Sequence, residues 1–182
     1  MKYALPVLVL LLSACASGSH PNVHTGRSLD EAEVQALREG RGMGQARVAE
    51  LTGYPGPMHV LELKDELELT PDQRFASSRL MGEVRAQARA LGERIIKEER
   101  RLERDLAAGS LSAADVEARI QAIGALRAQL RFVHVRAHLA QHDILTPEQR
   151  RRYRELRGIR LPGVPAGVIE SHAKPPPNEH VH

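Results

Sequence analysis

Apolar residues recur at intervals of three and four along two long stretches of the chain. In the first stretch they are Leu80, Val84, Ala88, Leu91, Ile95, Leu102 and Leu106, and in the second they are Val116, Ile120, Ile123, Leu126, Leu130, Val133, Ala137 and Ala140. This spacing predicts two amphipathic helices, because residues three or four positions apart share one face of a helix. Gly109-Ser110-Leu111-Ser112 lies between them and is typical of a tight turn. We therefore expect a long antiparallel helical hairpin with a coiled-coil-like seam.

Shorter helices are predicted on both sides of the hairpin. The segment Ser28-Leu29-Asp30-Glu31 has the pattern of a capping box, and it begins a helix that Gly40 ends. Residues 45–52 and 58–69 are each expected to form a further helix. A last helix ends near Gly158 and carries five arginines, which form either a solvated face or a contact with anionic lipid or an acidic client. The fold class is therefore all-α, a hairpin with short flanking helices.

The chain contains one five-residue pattern twice, at Leu69-Thr70-Pro71-Asp72-Gln73 and at Leu145-Thr146-Pro147-Glu148-Gln149. In each copy the threonine is a favourable N-cap, and the proline suits the first helical position. The glutamine three residues after the cap can bond back to the backbone of the cap, which completes a capping box. Each pattern therefore predicts the start of a helix, and the two flank the hairpin.

The first residues have the features of a secretory signal. Lys2 precedes an apolar run from Tyr3 to Leu12 that is too short to span a bilayer. Leu12-Ser13-Ala14-Cys15 follows and resembles a bacterial lipobox, in which the cysteine is lipidated; the alternative is an ordinary secretory signal that contains a cysteine. Ala16-Ser17 lacks the aspartate associated with inner-membrane retention, so we favour the outer membrane. Cys15 is the single cysteine of the chain, which excludes an intramolecular disulfide.

These patterns divide the chain into four parts. Residues 1–14 are expected to be a cleaved signal peptide, and residues 15–27 a flexible tether that begins at the lipidated cysteine. Residues 28–160 are expected to form the helical domain. Residues 161–182 are rich in proline and histidine and have no apolar periodicity, so we expect them to be disordered.

Composition and charge exclude several classes of function. The formal net charge is only +3, which argues against nucleic acid as a partner. Aromatic residues make up 3% of the chain and tryptophan is absent, which argues against a thick globular core. No Ser-His-Asp or Cys-His arrangement is evident, and the carboxylates are expected on solvated helix faces among arginines. We therefore expect a protein that is not an enzyme and has no organic cofactor.

Three histidines recur every four residues in the second long helix: His134, His138 and His142. On a helix such neighbours lie roughly 5–6 Å apart along one face, which suits a shared metal ion. The seam is centred near Val133 and Ala137, so His134 and His138 are the better pair, while His142 lies nearer to water as a boundary residue. Imidazole suits Zn, Ni, Co or Cu, and we expect a divalent transition metal as the cofactor.

The expected register of the hairpin brings further ligands to these histidines. With the turn at residues 109–112, His138 lies opposite Glu83 on the first long helix. If the 58–69 helix folds back at Pro71, His59 reaches the same level. His59 and either Glu62 or Glu83 are therefore the residues expected to complete the metal site.

Two such boxes around a long helical hairpin, behind a signal sequence, resemble the LTxxQ family of bacterial periplasmic proteins. This is the Spy/CpxP group, with zinc-resistance-associated and CnrX-type metal-sensing proteins as relatives. The resemblance covers roughly residues 53–158, and the residues that carry it are Leu69, Thr70, Gln73, Leu145, Thr146 and Gln149. It implies a thin helical cradle of the Spy/CpxP type, often a homodimer, located in the periplasm and without enzymatic activity.

The resemblance leaves two functions open. The first is an envelope lipoprotein that binds a divalent heavy metal and takes part in metal resistance, metal sensing or the envelope stress response, with an envelope sensor protein as partner. The second is an ATP-independent chaperone that binds unfolded clients on the cradle. This chain departs from the family pattern in its lipobox and in its histidine-rich long helix, and the second departure favours the metal-binding reading.

Lipidation at Cys15 is the first testable prediction. Because the cysteine follows a short apolar run and small residues, metabolic labelling with palmitate should label the parent protein and leave Cys15→Ala unlabelled. The variant should also leave the membrane fraction. If Cys15→Ala stays labelled and membrane-associated, the anchor lies elsewhere in the chain.

Overall fold

The computed structural model describes residues 28–160, which contain six α-helices and no β-strand. The helices are α1 (Glu31–Glu39), α2 (Arg47–Leu51), α3 (Pro57–Glu62), α4 (Pro71–Ala107), α5 (Ala113–Ile144) and α6 (Pro147–Leu156). The predicted all-α class is confirmed. Within this part of the chain, no helix has both the length and the apolar content needed to cross a membrane.

The expected signal peptide, the lipidated Cys15 with its tether, and the tail after residue 160 lie outside the described residues. Their expected roles therefore stay predictions.

Helices α4 and α5 form the predicted antiparallel hairpin. Ser112 caps α5 by accepting a hydrogen bond from the backbone N–H of Asp115, as the turn sequence indicated. Bonds between the two helices fix their register: Arg119 lies 2.7 Å from Asp105, and Arg136 donates to Gln87 at 2.9 Å. The seam between them is lined by the predicted apolar stripe, including the buried residues Val84, Ala88, Ile95, Leu126, Leu130, Val133 and Ala137.

The predicted seam is wrong at the tip of the hairpin. Leu106 and Ile120, which the spacing placed on the buried stripe, are 52% and 56% exposed. Helix α1 packs against the middle of the hairpin, where Leu37 meets Gly92 and Glu33 binds Arg127, so it does not cover the tip. Apolar burial in a two-helix region is shallow unless another element covers it.

Helix α1 packs against α4 at a point of close backbone approach. A Cβ atom built on Gly92 would lie 2.2 Å from the carbonyl oxygen of Leu37, so only glycine fits there. The N-cap of α1 is Asp30, whose carboxylate accepts from the backbone N–H of Glu33 at 2.7 Å. The expectation that Ser28 caps this helix is therefore wrong. Asp30 lies one residue before the first helical position, where a side-chain oxygen can reach the third backbone N–H.

Helix α3 is shorter than predicted. It ends at Glu62, whereas the apolar spacing extended it to Leu69. Residues 63–68 form turns, and Glu68 adopts a left-handed backbone with φ +49°. This reversal lets Leu67 and Leu69 enter one buried cluster with Tyr153. Spacing by threes and fours fits a helix and consecutive tight turns equally, which explains the error.

Both repeated patterns form complete capping boxes. Thr70 accepts from the backbone N–H of Gln73, and the Gln73 side chain accepts from the backbone N–H of Thr70. Thr146 and Gln149 repeat the arrangement at the start of α6. The prediction that these threonines begin two helices is confirmed.

The two boxes also bind each other through their glutamines. The side-chain amide of Gln73 donates to the amide oxygen of Gln149 at 2.8 Å, and Gln149 donates in return at 2.9 Å. Each amide donates a second hydrogen bond to a backbone carbonyl, Gln73 to Ile144 at 3.0 Å and Gln149 to Leu67 at 3.1 Å. We name this arrangement the glutamine junction. It joins the starts of α4 and α6 to the end of α5 and to the turn before α4.

Removing either threonine cap should destabilise the fold. Thr70→Ala and Thr146→Ala each leave a backbone N–H of the first helical turn without its acceptor, so we expect each to lower the free energy of unfolding by about 1 kcal/mol. Urea unfolding followed by circular dichroism measures this. Unchanged midpoints in both variants would mean that the threonine hydroxyls contribute nothing to stability.

Candidate metal-binding pocket

A pocket of about 400 Å³ lies between the loop after α1, the start of α3, and the sides of α4 and α5. The loop supplies residues 39–46, and Gly40 and Gly44 within it have positive φ, which lets the chain turn back over α5. The lining residues that carry a carboxylate, imidazole or thioether group are Glu39, Met43, Glu50, Met58, His59, Met81, His134 and His138. His59 thus lies in one pocket with His134 and His138, at the level that the expected fold-back at Pro71 gave it.

His134 is buried in the wall of this pocket. It is 8% exposed, and its Nε2 atom has no hydrogen-bond partner among the described residues. Burial lowers the pKa of His134, and the neighbouring His138 lowers it further. The imidazole is therefore held in its neutral form. Since a neutral imidazole has one nitrogen with a free lone pair, it has the protonation state of a metal ligand.

His138 lies one helical turn further along α5 and is 7% exposed. Its Nδ1 atom is 3.0 Å from the carbonyl oxygen of Tyr54, so the hydrogen-bond pattern assigns the proton to Nδ1 and the lone pair to Nε2. An imidazole whose second nitrogen donates to a carbonyl is the usual arrangement of a histidine that binds metal. The ring rests against Gly56, where a Cβ atom would come within 2.8 Å of it. Gly56 is thus the residue that leaves space for the ring.

The carboxylate of Glu50 lies between two histidines from different helices. One of its oxygens is 3.8 Å from Nε2 of His59 and 4.0 Å from Nε2 of His138. His59 is oriented by its other nitrogen, which is 2.9 Å from the carboxylate of Glu62. Glu62 was expected as a further ligand of the site; in the structure it contacts His59 and does not line the pocket. Glu50 was not among the sequence candidates, because its place depends on how residues 40–56 fold back over α5.

Two of the sequence candidates lie elsewhere. Glu83 is not part of the pocket lining; it lies 3.6 Å from Arg79 on its own helix, and its side chain is 55% exposed. Glu50 holds the position beside His138 that was expected for Glu83. His142 faces the ring of Tyr54, with ring centres 4.9 Å apart, and its Nδ1 atom is 3.4 Å from Arg150. The structure thus brings His134, His138 and His59 to the pocket and leaves Glu62, Glu83 and His142 outside its lining.

Nitrogen and oxygen donors alone do not complete a metal site in this conformation. Within residues 28–160, no three His, Cys, Asp or Glu side chains form a group that could hold a metal ion. The buried, unpartnered Nε2 of His134 and the oriented Nε2 of His138 nevertheless fit a metal as a pair of preformed ligands. A metal bound by this pair would need donors beyond the two imidazoles.

The repeated boxes support this pocket from the end of the hairpin. Leu69 and Leu145, the first residues of the two patterns, are 2% and 3% exposed and belong to the buried cluster around Tyr153. Burial raises the pKa of the Tyr153 phenol, and a backbone hydrogen bond with Gly56 acts in the opposite direction. Gly56 therefore links this cluster to the ring of His138.

Comparison with protein families matched more than half of the chain. A family model described as "LTXXQ motif family protein" matches residues 55–157, which include both repeated boxes and the two buried histidines. Met43 and Glu50 precede the matched residues. No curated protein and no solved structure matched the chain.

Proposed function

The chain belongs to the LTXXQ motif family, whose model covers more than half of its residues, and we propose that it is an envelope protein that binds a transition-metal ion in the pocket of His134 and His138. The family is of a non-enzymatic chaperone and metal-resistance type, and its members are generally periplasmic. Within that range of functions, the pocket favours metal binding. Participation in metal resistance or metal sensing is part of the same proposal, as is anchoring to the outer membrane through Cys15.

One observation supports metal binding above the others. The Nε2 atom of His134 is buried without a hydrogen-bond partner among the described residues, beside a second buried histidine whose lone pair is oriented by a backbone carbonyl. A buried polar atom without a partner destabilises a protein by about 1–3 kcal/mol, so native structures contain few of them. A bound cation would use this lone pair, which explains why the histidine is retained in an apolar position.

The electrostatics of the pocket are compatible with a cation. The carboxylate of Glu50 contributes one negative charge between His59 and His138. Arg41 and Arg85 also line the pocket, and Arg41 is paired with Glu39 at 2.8 Å. The lining is otherwise mostly apolar, which strengthens the interaction of a bound ion with its ligands.

Exposed apolar side chains favour a second candidate function. Phe75, Phe132 and Leu139 are 71%, 59% and 46% exposed, and the guanidinium of Arg136 lies over the ring of Phe132. Phe132 and Leu139 lie seven residues apart on α5 and so share one helix face, and exposed apolar side chains beside a basic residue are the kind of surface that binds unfolded clients or a second copy of the chain. We therefore retain an ATP-independent chaperone as the alternative function and a homodimer as an assembly that this face would support.

Calorimetric titration of the full chain without its signal peptide, using Zn, Ni, Co and Cu, tests the metal proposal. At least one ion should bind, and His134→Ala/His138→Ala should abolish binding because both preformed ligands are lost. Because the ion binds the folded state, it should raise the melting temperature, with stabilisation of about 2.7 kcal/mol at a hundredfold excess over Kd.

His142→Ala is the matched control, because it removes a histidine from the same helix that lies outside the pocket. This variant should bind metal as the parent does. If the double variant binds all four ions as tightly as the parent, the two histidines are structural and the chaperone function takes first place.

A further inference from the structure

Sulfur donors converge on the same pocket. All three methionines of the described residues line it, and they come from three different segments of the chain: Met43 from the loop after α1, Met58 from α3 and Met81 from α4. No sequence spacing connects these positions. Their convergence results from the fold alone.

Met43 and Met58 are not ordinary fillers of the core. Met43 is 42% exposed and Met58 is 46% exposed, whereas methionine that fills gaps in a core is buried. Met43 also has a positive φ of 43° between Gly42 and Gly44. Residues other than glycine are uncommon in that region of backbone space, and those that occur often lie at functional sites. Packing and backbone preference therefore do not explain why methionine occupies position 43.

The donor chemistry separates the candidate ions. Thioether sulfur is a soft ligand that favours Cu(I), while Zn, Ni and Co sites are completed by imidazole, thiolate or carboxylate. No three His, Cys, Asp or Glu side chains form a site within residues 28–160, and the single cysteine lies outside them. The thioethers are thus donors available to the pair of imidazoles beside His59 and Glu50 of the same lining.

The charge of the pocket also favours Cu(I). Imidazole and thioether are neutral ligands, and Glu50 is the one carboxylate placed between histidines of the lining. Transfer of an ion from water to an apolar pocket becomes more unfavourable with its charge, so a monovalent ion fits this balance better than a divalent one. Arg85, which also lines the pocket, opposes a second positive charge.

We propose that the pocket selects Cu(I), with the three thioethers joining the two buried imidazoles as ligands. This inference rests on the proposed metal-binding function and names the ion. Of the proposed ligands, Met43 lies before the residues that the family model matches, and the others lie within them.

Anaerobic competition for Cu(I) against a chromophoric chelator tests the selectivity, with Zn(II) titrated in parallel. The parent should prefer Cu(I) to Zn(II).

The triple variant Met43→Leu/Met58→Leu/Met81→Leu replaces each thioether with an apolar group of similar volume. It should weaken Cu(I) binding about tenfold or more and leave Zn(II) affinity unchanged. Helix content and melting temperature of the metal-free variant should match the parent. The single variant Met58→Leu, which changes the most exposed of the three, serves if the triple variant does not fold.

Leu139→Met is the control for sulfur content, because it adds a thioether at an exposed position that does not line the pocket. It should leave Cu(I) affinity at the parental value. If the triple variant keeps the parental Cu(I) affinity while the His134→Ala/His138→Ala variant loses it, the sulfur inference is wrong and the metal-binding function stands. If the parent binds neither Cu(I) nor any divalent ion, the proposed function itself is wrong.

Discussion

The reciprocal pair of amide hydrogen bonds between Gln73 and Gln149 is the interaction on which the arrangement of the helices depends. Each side-chain oxygen accepts from the backbone of its own capping box and from the other glutamine, and each side-chain nitrogen also donates to a backbone carbonyl. One pair of side chains therefore satisfies backbone groups of four segments. Without either glutamine, several polar groups of a partly buried junction lose their partners together.

This junction determines where the pocket forms. By fixing the starts of α4 and α6 against the end of α5, it places the turn after α3 next to the seam, and α3 then delivers His59 and Met58 to the same level as His138. The other wall comes from α2 and the glycine-containing loop before it, held by the contact of Gly92 with Leu37. The hairpin provides the base of the pocket with the buried His134 and His138, while the loop and the short helices at one end add Met43, Glu50, Met58 and His59. The opposite tip, with Leu106 exposed, has no third layer and no comparable pocket lining.

Local sequence signals predicted most of the helices. The capping boxes at Thr70 and Thr146 and the turn at Ser112 are decided by hydrogen bonds within a few residues, so the starts of α4, α5 and α6 are readable from the sequence. The periodic spacing predicted the seam, because residues three or four positions apart share one face of a helix. The error at α3 has a different origin, because residues 63–69 turn back through the left-handed Glu68, and the pattern of apolar positions does not distinguish this from a continuous helix.

The site was predictable only in part. His134 and His138 are one helical turn apart, so their pairing follows from local structure. Glu50 and Met43 reach them through a loop whose path is set by glycines with positive φ and by packing against α4, and no spacing encodes that path. The placement of Glu83 beside His138 assumed that the second layer of the site came from α4. In the structure that layer comes from α2 and α3, and Glu83 faces outward toward Arg79.

A double-mutant cycle across the glutamine junction tests its central role most directly. The free energies of unfolding of Gln73→Ala, Gln149→Ala and the double variant are measured by urea denaturation and compared with the parent. A shared hydrogen-bond network predicts strong coupling: the double variant should be less destabilised than the sum of the single variants by about 1 kcal/mol or more. Additive effects within about 0.3 kcal/mol would show that the two boxes act independently and that the junction does not organise the fold.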